Sequence, residues 1–150
     1  IGCNSRLDSI QAAILDVKLK HLDEYGAARY AAASYYTEQL KAFDPEEKFF
    51  ITPKELEKST HVYHQYTLKI KNEKRDALKA YLGEQGIPSM IYYPLPLQEQ
   101  EAFKPITRAA EALEKSRACA YSVLSLPIHT EMTREVQNVV INAIKAFFSK

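Results

Sequence analysis

Residues 5–17 read SRLDSIQAAILDV, and this stretch decides how the chain begins to fold. Its first four residues fit a capping box, in which the Ser5 hydroxyl accepts from the Asp8 N–H and the Asp8 carboxylate reaches back to the Ser5 N–H. Apolar residues then recur at gaps of three and four, the spacing of one helical face: Leu7, Ile10, Ile14 and Val17. The stretch therefore predicts the start of a helix with one apolar stripe.

The helical pattern continues well beyond this stretch. Alanines at positions 27, 28 and 31 to 33 favour a helix, whereas Gly26 weakens its middle and is the place for a kink. The pattern stops at Asp44 and Pro45, because a proline biases the residue before it away from the helical conformation. The sequence thus predicts one long helix over residues 7–43, which packs on more than one partner surface.

The rest of the chain alternates between strand and helix patterns. Residues 61–70 have the period of two that is typical of a half-buried strand, with His64, Tyr66 and Leu68 on one side. The other predicted strands are residues 87–93, residues 122–127 and a shorter one at 49–51, and the other predicted helices are 74–84, closed by Gly86, 109–121 and 133–148. This order predicts an α/β (α+β) fold, in which a small sheet is covered on one face by helices.

Composition excludes several classes of protein. The chain has 150 residues, and 20 basic against 19 acidic residues give a net charge of +1, so no strongly basic field favours nucleic acid. The longest apolar runs are a few residues long, too short for a membrane span. Two cysteines, Cys3 and Cys119, cannot form a disulfide framework, and we expect free thiols in a cytoplasmic protein.

The first residue is Ile rather than Met, and no basic region followed by an apolar region comes after it. We therefore expect no signal peptide at this start. We expect the chain to be part of a longer protein.

Metal and nucleophile chemistry have little support in the sequence. His61 and His64 are three positions apart on a predicted strand, so they should point to opposite faces and not share a metal ion. Cys119 lies in a predicted Ala-rich helix, where it should pack as a small hydrophobe. The sequence therefore predicts no metal site, and it contains neither a G-x-S-x-G motif nor a glycine-rich phosphate loop.

Two segments are less easily explained by packing alone. Asn4 and Arg6 stand at the start of the first helix, where free N–H groups and the positive end of the helix dipole favour a phosphate. The alternative is an ordinary helix cap with a surface arginine. Tyr92 and Tyr93 lie at the end of a predicted strand between prolines and offer rings and hydroxyls to a ligand. The alternative is a core strand with one buried and one exposed tyrosine.

An ordered set of motifs resembles one known family. Residues 2–15, GCNSRLDSIQAAIL, resemble the G-x-N-x-R-(L/M)-x-x-(I/L)-Q-A-A segment of the DegT/DnrJ/EryC1/StrS aminotransferases, which are pyridoxal-phosphate enzymes that act on keto sugars. Further matches follow in the family's order: HVYHQY at 61–66, RDAL at 75–78, YYPLPL at 92–97 and SLPIH at 125–129. The resemblance covers essentially the whole chain.

The resemblance implies a fold and an activity. It implies the small C-terminal domain of a fold-type I pyridoxal 5'-phosphate (PLP) enzyme, with residues 1–43 as a long interdomain helix and residues 44–150 as the small domain. The implied reaction moves an amino group from an amino acid, usually glutamate, to a nucleotide-linked keto sugar in polysaccharide or amino-sugar biosynthesis. The family's aldimine lysine lies in the larger N-terminal domain and has no counterpart here, so this chain alone should not transaminate.

The resemblance also implies partners and site residues. The partners are the chain's own large domain and a homodimer partner, since family members place their active sites between two subunits. Asn4 would reach across to the phosphate of the partner's cofactor, and Arg6 would add positive charge beside it. Tyr92 stands where the family often has His, and with Tyr93 it would line the sugar site.

A second hypothesis belongs to another functional class. Some relatives were described as regulatory proteins, so a non-catalytic binding, dimerisation or regulatory module of the same fold is the alternative. About 200 residues of upstream coding sequence with a strand-borne lysine would support the aminotransferase over the non-catalytic module.

Overall fold

The structure is a computed structural model that describes residues 5–107 and 113–150. The described residues form five α-helices and three strands. The helices are α1 (Ser9–Leu19), α2 (Leu22–Phe43), α3 (Arg75–Glu84), α4 (Glu114–Ser122) and α5 (Arg134–Phe148), and the strands are β1 (Phe50–Ile51), β2 (Tyr66–Ile70) and β3 (Val123–Leu126). Two short 3-10 turns, Leu97–Glu99 and Lys104–Ile106, lie between α3 and α4.

The three strands form one antiparallel sheet in the order β1-β2-β3. Tyr66 lies opposite Leu126 and Leu68 lies opposite Leu124, so these four residues share one face of the sheet. Side chains of α2, α3 and α5 join these residues in a single buried cluster. The prediction of a small sheet covered by helices is therefore confirmed.

The contact between α2 and β2 lies at the centre of this core. The rings of Tyr36 and Tyr66 are fully buried, with their centroids 5.1 Å apart. Each keeps a partner for its hydroxyl: Tyr36 donates to the carbonyl oxygen of Pro127 at 3.1 Å, and Tyr66 shares a 2.9 Å hydrogen bond with the Thr37 hydroxyl. Such pairing removes the cost of burying a phenol without a hydrogen-bond partner.

The prediction of one continuous helix over residues 7–43 is wrong. Lys20 and His21 separate α1 from α2, whereas Gly26 lies within α2. The His21 N–H donates to the carbonyl of Lys18, three residues back, which is the tighter 3-10 pattern that often marks a break between helices. The N-cap of α1 is Asp8 rather than Ser5, because the Asp8 carboxylate accepts from the Gln11 N–H at 2.8 Å.

Two strand predictions also need correction. The strand begins at Tyr66 rather than His61, because Tyr63 has a φ of 45° and is buried while its neighbour Val62 is 62% exposed. The alternation predicted for residues 61–70 thus holds only for the second half. The strand predicted at 87–93 is reduced to a single antiparallel bridge between Met90 and Ser125, since prolines on both sides cannot donate to a ladder.

Other sequence predictions are confirmed. Gly86 has a φ of 72° and closes α3, with the Ile87 N–H donating to the carbonyl of Leu82. The terminal helix α5 starts after Thr133, whose hydroxyl accepts from the Val136 N–H. The helix predicted at 109–121 is described from Glu114 onward, and its first residues lie outside the described part of the chain.

Helix α1 differs from the rest of the fold because none of its residues is buried. Ile10, Ile14 and Val17 of the predicted stripe are 74%, 48% and 60% exposed. Leu15 and Leu19, on the other side of the helix, are also exposed. Among the described residues, no helix is both long and apolar enough to cross a membrane. Burial of the apolar side chains of α1 therefore requires a surface that the described residues do not provide.

We predict that the stability of the folded chain falls as the pH rises above about 10. Burial raises the pKa of Tyr36 and Tyr66, and it raises that of Tyr63 to about 12 with help from Glu55. The unfolded chain then loses phenol protons before the folded chain does, so each pH unit in this window favours unfolding.

Urea unfolding at a series of pH values measures this slope. Tyr66→Phe should flatten it by up to about 1.4 kcal/mol per pH unit, the value for one proton. Tyr121→Phe is the control, because Tyr121 is 70% exposed. An identical slope in the Tyr66→Phe variant and the original chain would contradict the prediction.

Candidate functional site

The first candidate group lies at the start of α1. Asn4 lies outside the described residues, while Arg6 is exposed two positions before the N-cap Asp8. The Asp8 carboxylate already occupies one of the first N–H groups and adds a negative charge there. A phosphate would therefore depend on side chains such as the Arg6 guanidinium more than on the helix end itself. The exposed Arg6 guanidinium is able to bind an anionic group that is not part of the described residues.

The second candidate group is Tyr92 and Tyr93, which are 37% and 71% exposed. Their rings meet edge to face, with the centroids 5.5 Å apart. Neither residue belongs to a strand, so the alternative of a core strand with one buried tyrosine is wrong. Both rings are available to a ligand in the described structure.

The two tyrosines line a cavity of about 300 Å³ between the Tyr92–Gln100 segment and α4. We call it the tyrosine cavity. Its lining is mixed polar and apolar: Tyr92, Tyr93, Leu95, Pro96, Leu97, Gln98, Gln100, Ser116, Cys119, Ala120 and Val123. Arg6 is not part of this lining, so the structure brings the two tyrosines together but does not join them to Arg6.

Two sets of polar contacts fix the walls of the tyrosine cavity. Arg117 on α4 pairs with Glu99 on the neighbouring 3-10 turn, and this carboxylate raises the pKa of Arg117. At the other end, the backbones of Met90 and Ser125 exchange two hydrogen bonds of 3.1 and 2.7 Å, which tie the segment before Tyr92 to β3. The cavity is thus held by α4 on one side and by the sheet on the other.

The sequence did not reveal two of the residues in this cavity. Cys119 was expected to pack as a small hydrophobe, but it is a free, partly exposed thiol that faces the cavity. Gln98 belongs to none of the motifs quoted above. Only the fold places it in the same cavity lining as the tyrosines. Pro96, two residues before it, caps the 3-10 turn that carries Gln98.

A second, larger cavity of about 930 Å³ lies where α2 meets residues 60–64 and the loop at 130–131. His61 and His64 both line it, which corrects the expectation that they point to opposite faces of a strand. That expectation failed because both residues precede the strand. Within residues 5–107 and 113–150, no three His, Cys, Asp or Glu side chains converge in the manner of a metal site.

Arg29 holds the wall of this second cavity. Its Nη1 donates to three carbonyl oxygens, those of Tyr63 at 3.3 Å and of His64 and Ile128 at 3.2 Å. These bonds tie α2 to two loops that are far apart in the sequence. The Tyr63 hydroxyl donates to Glu55 at 2.8 Å, which fixes the same segment from the other side.

Residues 1–145 match the DegT/DnrJ/EryC1/StrS aminotransferase family. A pleiotropic regulatory protein of Geobacillus stearothermophilus is 43% identical over 99% of this chain and 39% of its own length. A dTDP-3-amino-3,6-dideoxy-alpha-D-galactopyranose transaminase of Aneurinibacillus thermoaerophilus is 36% identical over 97% of this chain and 38% of its own length.

The fold agrees with the sequence match. The crystal structure of S. venezuelae DesV in complex with a ketimine intermediate is similar, with a TM-score of 0.88 and 31% identity over 99% of this chain and 38% of that one. This chain therefore spans about two fifths of the length of its relatives, and its mixed helices and small antiparallel sheet match the C-terminal domain of PLP aminotransferases. The chain belongs to the DegT/DnrJ/EryC1/StrS aminotransferase family.

Proposed function

We propose that this chain is the C-terminal part of a PLP-dependent aminotransferase that moves an amino group from glutamate to a nucleotide-linked keto sugar. The observation that carries the proposal is the pair of exposed tyrosines over a fixed cavity, in a chain of this family. The relative from Aneurinibacillus thermoaerophilus, named as a transaminase of a dTDP-linked sugar, supports this substrate class.

The chain contributes binding groups rather than the reactive amine. PLP, when bound, supplies an electron sink for the carbon that exchanges its nitrogen. The lysine that holds PLP is expected in the part of the relatives' length that this chain does not span. The described residues would therefore complete a site whose reactive centre lies elsewhere in the full protein.

Arg6 and Asn4 are the proposed phosphate ligands. Arg6 is exposed at the start of α1, and none of the residues of this helix is buried. Docking of α1 against the large domain and a second subunit would bury its apolar side chains and bring the Arg6 guanidinium to a phosphate. This arrangement explains why a charged group and an apolar surface lie next to each other.

Tyr92 and Tyr93 are the proposed sugar ligands. An aromatic face packs well against the apolar face of a sugar ring, and a phenol hydroxyl can donate to or accept from sugar oxygens. Because Tyr92 lines the cavity and is partly exposed, it can contact a sugar that enters from outside the small domain.

A non-catalytic role is the second candidate. It is favoured by one observation, the 43% identity to a relative named as a pleiotropic regulatory protein. In that case the same cavity would bind the sugar part of a nucleotide sugar without transferring nitrogen to it.

Glutamate-dependent amination of keto sugars separates these two functions. The full-length protein, loaded with PLP, is incubated with glutamate and a panel of dTDP- and UDP-linked keto sugars, and products are identified by mass spectrometry. We expect one sugar to gain an amino group while glutamate becomes 2-oxoglutarate. Binding of a sugar nucleotide without any amination, in protein shown to contain PLP, would favour the regulatory role and contradict the enzymatic one.

We predict that Arg6→Met weakens PLP binding by the full-length protein by roughly 10- to 100-fold, the range for one charge-assisted hydrogen bond of about 1.5–3 kcal/mol. Arg6→Lys, which keeps the charge, should retain part of the affinity, and Asn4→Ala should weaken it in the same direction. The measurement is a titration of the cofactor-free protein with PLP, followed by absorbance. Unchanged affinity in Arg6→Met would remove Arg6 from the proposed site.

A further inference from the structure

The tyrosine cavity has a chemical character that limits its ligand. Among the described residues, none of the side chains in its lining carries a charge. Two ion pairs adjoin the lining: Glu99 pairs with Arg117, and Arg75, which donates to the carbonyls of Ala120 and Val123, pairs with Asp76. A diphosphate or a dicarboxylic amino acid would need charged partners when removed from water. The cavity therefore suits a neutral group.

The size of the cavity also favours a small neutral group. About 300 Å³ is at the lower end of the volumes of small-molecule sites and has room for one ring-sized group. Gln98, Gln100 and Ser116 supply amide and hydroxyl groups, while Leu95 and Val123 supply apolar surface. This mixture matches a sugar ring, which has apolar C–H faces and a rim of oxygens.

Gln98 has the one polar atom in this lining that is buried without a partner. Its amide nitrogen, Nε2, is shielded from solvent and makes no hydrogen bond within residues 5–107 and 113–150. An unpaired buried donor is unfavourable and rare in folded proteins. Rotation about the last side-chain bond of glutamine is soft, so the amide can turn an N–H toward the cavity when an acceptor is present there.

The backbone that carries Gln98 is well fixed. It belongs to the 3-10 turn Leu97–Glu99, which Glu99 ties to Arg117 on α4. Within the described residues, the side chain of Gln98 thus lines the cavity from a fixed backbone, together with two exposed tyrosines.

We propose that Gln98 is a specificity-determining residue of the sugar site proposed above, whose amide donates to an oxygen substituent of the sugar ring. The inference rests on the proposed function and adds to it one residue that reads the ring. A site built to donate to an oxygen discriminates against an analogue that lacks it.

The test compares Gln98→Leu with the original full-length protein. The substrates are the accepted keto sugar and its single-deoxy analogues. Loss of one hydrogen bond should raise KM for the full substrate roughly tenfold. For one deoxy analogue the variant and the original protein should have equal KM, because the oxygen that Gln98 reads is already absent. KM changes that are equal for all analogues, or no change at all, would overturn the proposal.

Two controls separate this result from a failure of the proposed function. The first is the half-reaction with glutamate alone in the original protein, followed by the change in cofactor absorbance. If that half-reaction is absent in the original protein, the proposed function itself is wrong. Gln85→Leu is the matched substitution, since Gln85 is exposed and outside the cavity. It should leave KM unchanged.

Cys119 gives a readout that needs neither activity nor the variant. Its thiol lines the cavity, so a ring in the cavity should slow its alkylation by iodoacetamide. The modification is followed at the Cys119 peptide by mass spectrometry, with dTDP-glucose and UDP-glucose as probes and dTDP and UDP as controls. We expect at least about threefold protection by a nucleotide sugar and none by the nucleotides. Equal protection by nucleotide and nucleotide sugar, or no protection, would contradict the placement of the ring.

Discussion

The apolar surface of α1 is the constraint that governs how this chain can work. From Tyr36 on α2 to Phe148 at the end of α5, the chain closes its own core around one face of a three-stranded sheet. Helix α1 takes no part in that core, and its leucines and isoleucines remain in water. Because exposed apolar patches of this kind mark interfaces, we propose that α1 is a docking element. The other four α-helices and the sheet, by contrast, are held by their own packing.

The proposed site is built on the self-contained part of the molecule. The tyrosine cavity lies between α4 and a segment bonded to β3, so its walls depend on the same sheet that organises the core. Arg29 fixes a second region in a similar way, by donating to carbonyls of two distant loops. The proposed function would then require that α1 docks correctly, since docking would bring Arg6 and the tyrosine cavity to a reactive centre outside this chain.

Sequence patterns predicted the elements whose signals are local. The alternation at Tyr66, Leu68 and Ile70, the position of Gly86 and the Thr133 cap were sufficient for β2, α3 and α5. The break at Lys20 and His21 was missed because neither residue disfavours a helix strongly, and the strand predicted at 87–93 failed because its prolines prevent a ladder. The tyrosines could be predicted from their motif, whereas Gln98 and Cys119 could not, since only tertiary packing places them in one cavity.

Hydrogen exchange of the α1 backbone amides tests the docking role of this helix most directly. The measurement compares residues 9–19 in the full-length protein with the same residues in the 150-residue chain. If α1 is a docking element, its amides should exchange at least about 100-fold more slowly in the full-length protein, because opening the helix there also requires breaking its interface. Equal exchange rates in the two proteins would show that nothing covers α1, and they would contradict its role as a docking element.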